Sequence, residues 1–566
     1  MAFRFNPRPF RWLALAAMVA VLGATLSGLL ERTRERGKTR RSPDPIAPQV
    51  DQQTEAFSLS KSSGDHTLYT VHSRQVTHFR DKVVLHGVSI LLYGKQGERR
   101  DVIEAEECEY DPAAKSLVIP GEVTMKLGIP PADTGAAPNE VTDTEPDSVT
   151  IITTGLAFDQ DTGVVSTEQE VEFQFEQGEG TAQGAVYEPE SQQLTLRSAV
   201  HFVLSEAGSQ GKRASGASSV QVRAGSLRFR RGDSVVYLTG GTELSSGAQT
   251  LRAGEGEILL DERRQARRVR LEGGVHGSDR SEGAAEVRAR RGVLELSDNG
   301  RLNMLHLEDA VEWSASSSGG SGDTQPERQG RANRADLFFS SATGVLERIV
   351  ALQGVRMVLR DSPHSPQRAA RSPRPKGQPV SAGMQTLSAE RVEMRMALDG
   401  KAPESLSASS QATLDFAPFN REDPQWQVTA REFQMSFDSA GNLTRFEADQ
   451  TVQAVAQQET GPAGRKVSTS DHLSASVDAL TRSLTRIEQW GRYQYQDAEK
   501  KARAERAEYS TASDVVVLKD HATVWNGSGK ISANSITLRN AVDEIEAEGN
   551  LSTLFQSETS TPGASG

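Results

Sequence analysis

The chain has 566 residues, which is enough for several domains or for one long repetitive domain. Only 36% of the residues are hydrophobic and 5% are aromatic, too thin a supply for one large compact core. The net charge is −12, although residues 1–41 carry nine Arg or Lys against two Glu, so the rest of the chain is acidic. An acidic body argues against a nucleic-acid partner, because phosphates require clustered cations.

The amino terminus contains one long apolar run, FRWLALAAMVAVLGATLSGLL, at residues 10–30. As a helix it would span about 30 Å of hydrocarbon, and Arg11 and Trp12 stand where interfacial anchors belong. A cleaved signal peptide is the alternative, but its apolar region would be shorter and would precede a small-x-small cleavage site. We therefore predict a transmembrane anchor over 1–35 and a polar, Pro-rich tether over 36–56.

Basic residues flank this run on both sides. Arg4, Arg8 and Arg11 precede it, and six Arg or Lys follow it, the last of them Arg41. The larger cluster after the run opposes export of the body, but long carboxyl-terminal domains are translocated despite such flanks. The flanking charges alone leave the orientation of the anchor open.

The body repeats one motif. An Ala is followed five positions later by a large apolar residue, then by a polar patch such as DPAAKS, and then by an alternating run such as LVIPGEV or VVLKDHATV. The pairs are Ala105 and Tyr110, Ala182 and Tyr187, Ala224 and Phe229, Ala253 and Ile258, Ala289 and Leu294, Ala332 and Leu337, Ala389 and Met394, Ala430 and Met435, Ala504 and Tyr509, and Ala533 and Leu538. Alternation with period two predicts half-buried antiparallel strands and an all-β fold.

The spacing of the motif indicates how its copies are arranged. Successive Ala positions lie between 29 and 77 residues apart, which favours a solenoid or open roll over a closed propeller with matching blades. Residues 497–507 have helical propensity, which we expect the repeat to override. Cys108 is the single cysteine, so no intramolecular disulfide can form, and we interpret it as structural.

Segments rich in Pro, Gly and Ser at 129–147, 314–331 and 361–383 oppose strand formation and divide the body. The predicted units after the tether are a first roll at 57–128, repeats at 148–313, a linker at 314–331, one repeat at 332–360, a linker at 361–383, further repeats at 384–556 and a disordered tail at 557–566.

Three stretches carry a resemblance to a known family. FSLSKSSGDHTLYTVHSRQVTHFRDKVVLHGVSILLY (57–93), after its anchor and tether, resembles the start of the periplasmic domain of LptC. IEAEECEYDPAAKSLVIPGEV (103–123) resembles the OstA-like repeat of LptC, LptA and the amino-terminal part of LptD, and 502–551 resembles LptA. The resemblance implies an extended antiparallel β-jellyroll, open along one side, whose groove carries the acyl chains of lipopolysaccharide.

The same resemblance implies a single-pass inner-membrane protein with its body in the periplasm. It would carry lipopolysaccharide, or a related lipid, from the membrane subunits of an ABC transporter toward an LptA-like or outer-membrane LptD-like acceptor. With about 500 residues after the tether, a continuous roll would be about 120 Å long. The alternative is a non-transporting structural or adhesion β-solenoid on the same anchor. No nucleophile, metal-ligand or cofactor pattern occurs at a recognisable spacing, so we predict no enzyme and no cofactor.

Every second residue of a strand faces inward, so the alternating runs supply candidate groove residues. These candidates are Val88, Ile90, Leu92, Val236, Leu238, Val269, Leu271, Leu305, Leu307, Val516 and Leu518. The alternative is that the same side chains fill a dry core. Exposed edge strands invite strand addition, and the candidate partner edges contain Phe57 and Leu59 near the membrane and Ile545 and Leu551 at the far end. Capped, inert termini are the alternative there.

Overall fold

The structure is a computed structural model, and it describes part of the chain between residues 52 and 555. Outside the described residues lie 1–51, 64–65, 80–81, 94–99, 130–147, 176–177, 205–219, 263–264, 281–282, 299, 318–326, 361–381, 401, 419–424, 440, 458–464, 479–482, 540–543 and 556–566. The predicted anchor, the tail and most of the tether and linkers therefore fall outside them. Within the described part, no helix has the length and apolar character needed to cross a membrane.

The amino-terminal part contains eleven strands and one short 3-10 helix at Arg231–Asp233. The strands are β1 (Gln52–Ser63), β2 (His66–His78), β3 (Val83–Tyr93), β4 (Arg100–Asp111), β5 (Ser116–Ile129), β6 (Val149–Asp159), β7 (Val165–Phe175), β8 (Gly178–Glu188), β9 (Gln193–Leu204), β10 (Val220–Arg230) and β11 (Val235–Ser246).

The remaining described elements are all strands. They are β12 (Gln249–Ala253), β13 (Glu255–Leu260), β14 (Ala266–Glu272), β15 (Val275–Asp279), β16 (Gly283–Ala289), β17 (Arg291–Leu296), β18 (Leu302–Ser317), β19 (Glu327–Phe339), β20 (Leu346–Arg360), β21 (Ala382–Met396), β22 (Pro403–Pro418), β23 (Gln425–Phe437), β24 (Leu443–Gln457), β25 (Lys466–Asp478), β26 (Ser483–Gln496), β27 (Lys500–Ser510), β28 (Val515–Asn526), β29 (Gly529–Arg539), β30 (Glu544–Glu548) and β31 (Ser552–Phe555). The all-β prediction is confirmed, and the stretch with helical propensity contributes to a strand, β27.

The described strands form one 31-stranded sheet with antiparallel pairing. Each long strand pairs with the strands before and after it along the chain, as β27 pairs with β26 and β28. Four long strands are divided in two, and their parts pair separately: β11 pairs with both β12 and β13, and β29 pairs with both β30 and β31. The sheet is therefore a succession of hairpins.

Most long strands change register near their middle. On alternate strands, two consecutive residues at this point have positive φ. The pairs are Gly240–Gly241, Gly273–Gly274, Asp309–Ala310, Gln353–Gly354, Ser410–Gln411, Gln450–Thr451, Gly491–Arg492, Asp520–His521 and Gly549–Asn550. These breaks lie side by side on successive strands and form a line, here called the corner. Because bulges bend strands, the sheet folds over along this line.

The Ala of the sequence motif lies at the corner on the strands between those pairs. Ala332 pairs with Val311, and Ala430 pairs with Ala412, directly beside the register shifts. All the motif Ala residues from Ala182 onward are at most 8% exposed. The corner therefore requires a small side chain, which explains why the motif begins with Ala.

The corner divides the sheet into two halves. The front half contains segments such as 107–111, 515–519 and 535–539, and the back half contains segments such as 100–105 and 522–526. Leu518 and Ile536 of the front half share a buried cluster with Ala504 and Val524 of the back half. The two halves therefore face each other across a common interior.

Charged side chains cover the outer face of the front half. A ladder crosses three strands there, with Arg486 on β26 and Lys519 on β28 lying 3.1 and 2.9 Å from the carboxylate of Glu508 on β27. These ion pairs hold the pKa of Glu508 below its ordinary value, the hydrogen bond from Lys519 being the largest cause. Apolar residues inside and paired charges outside produce the period-two sequence pattern.

The strands are longer than the sequence runs suggested, because the runs before and after each corner belong to one strand. Strand residues also occupy the ends of four segments predicted to be irregular. Ile129 of β5 lies in the segment 129–147, and Ala382 of β21 lies in the linker 361–383. β1 begins at Gln52, within the predicted tether at 36–56, and β18 extends to Ser317 while β19 begins at Glu327, within the linker predicted at 314–331. The strand pattern persisted there because polar residues are tolerated on the outer face.

Substituting Ala430 with Leu should destabilise the protein by about 1–3 kcal/mol, because the buried corner offers no room for three more carbon atoms. Met435→Leu, five positions along the same strand, should cost less than about 1.5 kcal/mol because it conserves volume. Hydrogen exchange of peptides from β22 to β24 would measure both changes. Equal losses of protection would contradict a special requirement at the corner.

Candidate functional site

One row of inward-facing side chains crosses the front half from strand to strand. Each member lies directly opposite the next in the antiparallel register, as Tyr509 lies opposite Val516 and Val516 opposite Leu538. The row, here called the seam, consists of Val83, Tyr110, Leu117, Phe158, Val165, Tyr187, Leu194, Phe229, Val236, Ile258, Val269, Leu294, Leu305, Leu337, Ile349, Met394, Leu406, Met435, Phe446, Ala475, Ile487, Tyr509, Val516, Leu538 and Ile545. No charged residue interrupts it.

A second inward row lies between the seam and the corner. It includes Leu238, Leu271, Leu307, Phe433, Leu518 and Ile536, each no more than 1% exposed. Gln489 is a polar member of this row, and its side-chain amide donates a hydrogen bond of 3.2 Å to Ser470 Oγ. This row forms the floor of the interior beneath the seam.

The back half supplies the facing wall. Its inward row passes from Ile90 through Ile103, Met125 and Ile151 to Phe173. Further along, Trp313 lies opposite Gly330, where an added Cβ would come within 2.1 Å of the Trp313 ring. Apolar side chains therefore border the interior from both halves.

Exposure of the seam residues varies along the chain. Near the amino-terminal end Leu117, Phe158 and Val165 are at most 2% exposed. Toward the other end Val516 and Leu538 are half-buried, and Ile545 is 47% exposed. Large apolar side chains that face inward and still contact solvent indicate an interior that is not completely filled in this region.

All the groove candidates predicted from the sequence face the interior. Four lie in the seam, namely Val236, Val269, Leu305 and Val516, and four lie in the row beneath it, namely Leu238, Leu271, Leu307 and Leu518. The other three, Val88, Ile90 and Leu92, lie on the back half. That these side chains contact a lipid stays a prediction.

Sequence reasoning did not select several bulky seam residues. Phe158, Tyr187, Met435 and Phe446 are 8% exposed or less and belong to the same row. Tyr187 and Met435 were recognised as the apolar partners of the motif Ala, and that five-residue spacing was the signal for the seam. One Ala at the corner and one large residue in the seam are five positions apart on the same strand.

The predicted partner edges lie at the two ends of the described sheet. Phe57 and Leu59 are half-buried on β1, which pairs only with β2 among the described strands. Ile545 lies on β30 and Leu551 between β30 and β31, with exposures of 47% and 59%, and Leu554 on β31 is 69% exposed. Apolar side chains therefore accompany unpaired backbone groups at the carboxyl-terminal edge.

The interior contains few ionisable groups. Burial raises the pKa of Cys108, which is fully buried, to about 12, so its thiol stays protonated. Burial also raises the pKa of Tyr493, whose ring lies beside the corner in the back half. Among the described residues, no three His, Cys, Asp or Glu side chains are grouped so that they could hold a metal ion.

Comparisons with known proteins match two parts of the chain. Residues 16–205 match the model of the family described as "Lipopolysaccharide-assembly, LptC-related", and residues 380–544 match "LptA/(LptD N-terminal domain) LPS transport protein". No curated protein is a significant match.

Among solved structures, the chain is similar to the crystal structure of LptH, the LptA-homologous periplasmic component of the lipopolysaccharide transport device of Pseudomonas aeruginosa. The identity is 16%, the match covers 25% of this chain and 100% of that one, and the TM-score is 0.20. The family resemblance seen in the sequence is confirmed by the two family models. Two segments of the chain, residues 16–205 and 380–544, are therefore an LptC-related domain and an LptA-like domain.

Proposed function

We propose that the protein is an inner-membrane-anchored periplasmic bridge that carries lipopolysaccharide, or a related lipid, along the seam. The observation that carries this proposal is the continuity of the seam, which presents apolar side chains from Val83 to Ile545. Each CH2 group kept out of water contributes about 0.8 kcal/mol, so a lipid with several acyl chains needs an apolar path across an aqueous space. The descriptions of the two matched families support lipopolysaccharide as the cargo.

The two edges of the sheet support the proposal that the protein binds one partner at each end. An ABC transporter's membrane subunits would lie beside β1, because the apolar run at 10–30 precedes it in the chain. An LptA-like or LptD-like acceptor would add a strand to β30 or β31, where Leu551 and Leu554 are exposed. One covalent chain would then cover a distance that otherwise requires several separate subunits.

Val516→Asp should remove bound lipid without unfolding the protein. Val516 is an inward seam residue that is only half-buried, so a carboxylate there retains water while it makes the groove unfavourable for acyl chains. The full-length protein would be purified in amphipol from a lipopolysaccharide-producing bacterium, and co-purifying lipid would be extracted and identified by mass spectrometry. We expect stoichiometric lipid on the parent and a severe loss on this variant.

Val517→Asp is the matched control, because Val517 is also half-buried but faces outward between Glu508 and Thr537. It should retain its lipid. A folded parent that carries no lipid and takes up no added lipopolysaccharide would favour the structural or adhesion solenoid. Equal lipid loss from both variants would show that the inner face is not the binding surface.

A further inference from the structure

The amino-terminal end of the seam is closed by contacts between the front and back halves. Lys61 on the back half donates a hydrogen bond of 2.7 Å to the backbone carbonyl of Gln160, in the β6–β7 turn of the front half. Its ammonium group also lies 3.2 Å from the carboxylate of Asp161 in the same turn. One lysine thus connects the two rims of the interior.

An aromatic contact lies directly beneath this ion pair. The Tyr69 hydroxyl, from the back half, donates a hydrogen bond of 3.1 Å to the Gln160 carbonyl. The Tyr69 ring packs edge-on against the seam residue Phe158, with 5.0 Å between centroids and 87° between the ring planes. Further along the seam, the Tyr187 hydroxyl donates to the carboxylate of Asp101, again from one half to the other.

The space beneath these contacts is small. The cavity lined by Met125, Ile151, Leu156 and Tyr187 has a volume of about 10 Å³, at the threshold for a single water molecule. An acyl chain therefore cannot lie against this part of the seam unless the two halves separate. This contrasts with the half-buried seam residues near Val516.

Two lysines at the rim form an anion-binding site, and a carboxylate of the same chain occupies it. Lys61 and Lys115, from opposite halves, both contact the carboxylate of Asp161, at 3.2 and 3.1 Å. Hydrogen bonds from Lys115 and then Lys61 hold the pKa of Asp161 below its ordinary value. The side-chain nitrogen of Gln160 is buried there without a hydrogen-bond partner, so one donor is unused.

These contacts define a latch, formed by Lys61, Tyr69, Lys115, Phe158, Gln160 and Asp161. We propose that the latch closes the amino-terminal end of the seam, and that the phosphate headgroup of an amphiphile opens it by taking Lys61 and Lys115 from Asp161. A phosphate is the appropriate ligand class because it accepts charge-assisted hydrogen bonds from both ammonium groups, and the unpartnered Gln160 amide supplies another donor. The proposal rests on the seam being a lipid path.

Locking the latch tests whether the rims must separate. Lys61→Cys with Asp161→Cys places thiols on opposite halves, and a short, reducible bifunctional methanethiosulfonate would connect them. Cys108 is fully buried with a raised pKa and should not react. The full-length protein in amphipol would be mixed with vesicles containing a fluorescent phosphatidate. We expect lipid uptake to be lost when the pair is linked and recovered after reduction.

The control pair is Lys115→Cys with Asp161→Cys, whose residues both lie on the front half, so the same linker does not bridge the rims. Its uptake should be equal before and after reduction. Undiminished uptake by the linked Lys61 and Asp161 pair would overturn the latch while leaving the proposed function standing. Absence of uptake by the parent itself would overturn both.

Asp161→Asn tests the exchange of anions. At equilibrium the parent should bind fluorescent phosphatidate at least about fivefold more tightly than diacylglycerol with the same chains, which is within the usual range for the coupling of two sites. The variant should lose this preference because its affinity for diacylglycerol rises. Asp233→Asn, which removes an exposed carboxylate paired with Arg230 at 3.5 Å in another turn, is the matched control. An unchanged preference in Asp161→Asn would refute the exchange.

Discussion

Phe433→Ala should lower the free energy of unfolding around β22–β25 by about 3–5 kcal/mol, as expected when a large buried aromatic side chain is truncated. Phe433 is 0% exposed, and its ring centroid lies 5.1 Å from that of Phe446. Its neighbours across the register are Ala408 and Ala448, which are too small to close the resulting cavity. Denaturant titration with hydrogen exchange read out on peptides from β22–β25 would measure the loss.

The extent of the effect is as informative as its size. Each strand forms its backbone ladder only with its neighbours in the sheet, and Phe433 lies in a different buried cluster from the core residues of β3–β9. We therefore expect β3–β9 to keep their protection while β22–β25 lose theirs. Trp426→Ala removes a larger ring from the same strand, but Trp426 is 39% exposed, and the loss should be less than half as large. Uniform loss of protection along the whole chain would contradict this local picture.

Leu518→Asp should unfold the carboxyl-terminal strands β27–β29, with a cost of roughly 3–5 kcal/mol for an uncompensated buried charge. Leu518 is 1% exposed and lies between Ala507 and Ile536 in the smallest of the three buried clusters. Neither neighbour can donate a hydrogen bond from its side chain to the carboxylate. Hydrogen exchange should show early exchange in these strands and unchanged protection in β10–β18.

The pH dependence of the stability of Leu518→Asp distinguishes the effect of the buried charge from the effect of the altered side-chain shape. Burial raises the pKa of a carboxyl group, so the folded state binds the proton more tightly than the unfolded state. The destabilisation should be complete above the raised pKa and should diminish as the pH falls toward the ordinary value for Asp. Leu518→Asn introduces a side chain of nearly the same shape as Asp but without an ionisable group, so its loss of stability should not depend on pH in this range. A pH-independent loss in Leu518→Asp would assign the effect to packing alone.

Period-two alternation was sufficient to predict the strands and their antiparallel pairing. It placed Val516 and Leu518 on the inner face correctly, because a strand has only two faces. The corner was not predicted, although its residues were visible as GG, DA and DH within the alternating runs. Asp520 and His521 adopt positive φ through the bend itself, and their residue types alone do not require it.

The continuity of the seam and the closure of its amino-terminal end could not be predicted in the same way. Lys61 and Asp161 are 100 positions apart, and Tyr187 and Asp101 are 86 apart. Such contacts depend on how far the two halves open, which a periodic pattern does not encode. The five-residue spacing from Ala430 to Met435 does mark one residue at the corner and one in the seam. It can be interpreted in this way only when the position of the bend in the strand is known.

Each strand pairs only with strands close to it in the chain, and this determines the order in which the protein can fold. Each hairpin can complete its hydrogen bonds as soon as the next strand is available, so folding can proceed in order from one end during synthesis or export. A newly added hairpin covers the backbone edge left by the previous one. Insertion or loss of whole hairpins would change the reach of the molecule by about 4.8 Å per strand without disturbing distant contacts. Natural variants of different length could therefore arise by duplication of this unit.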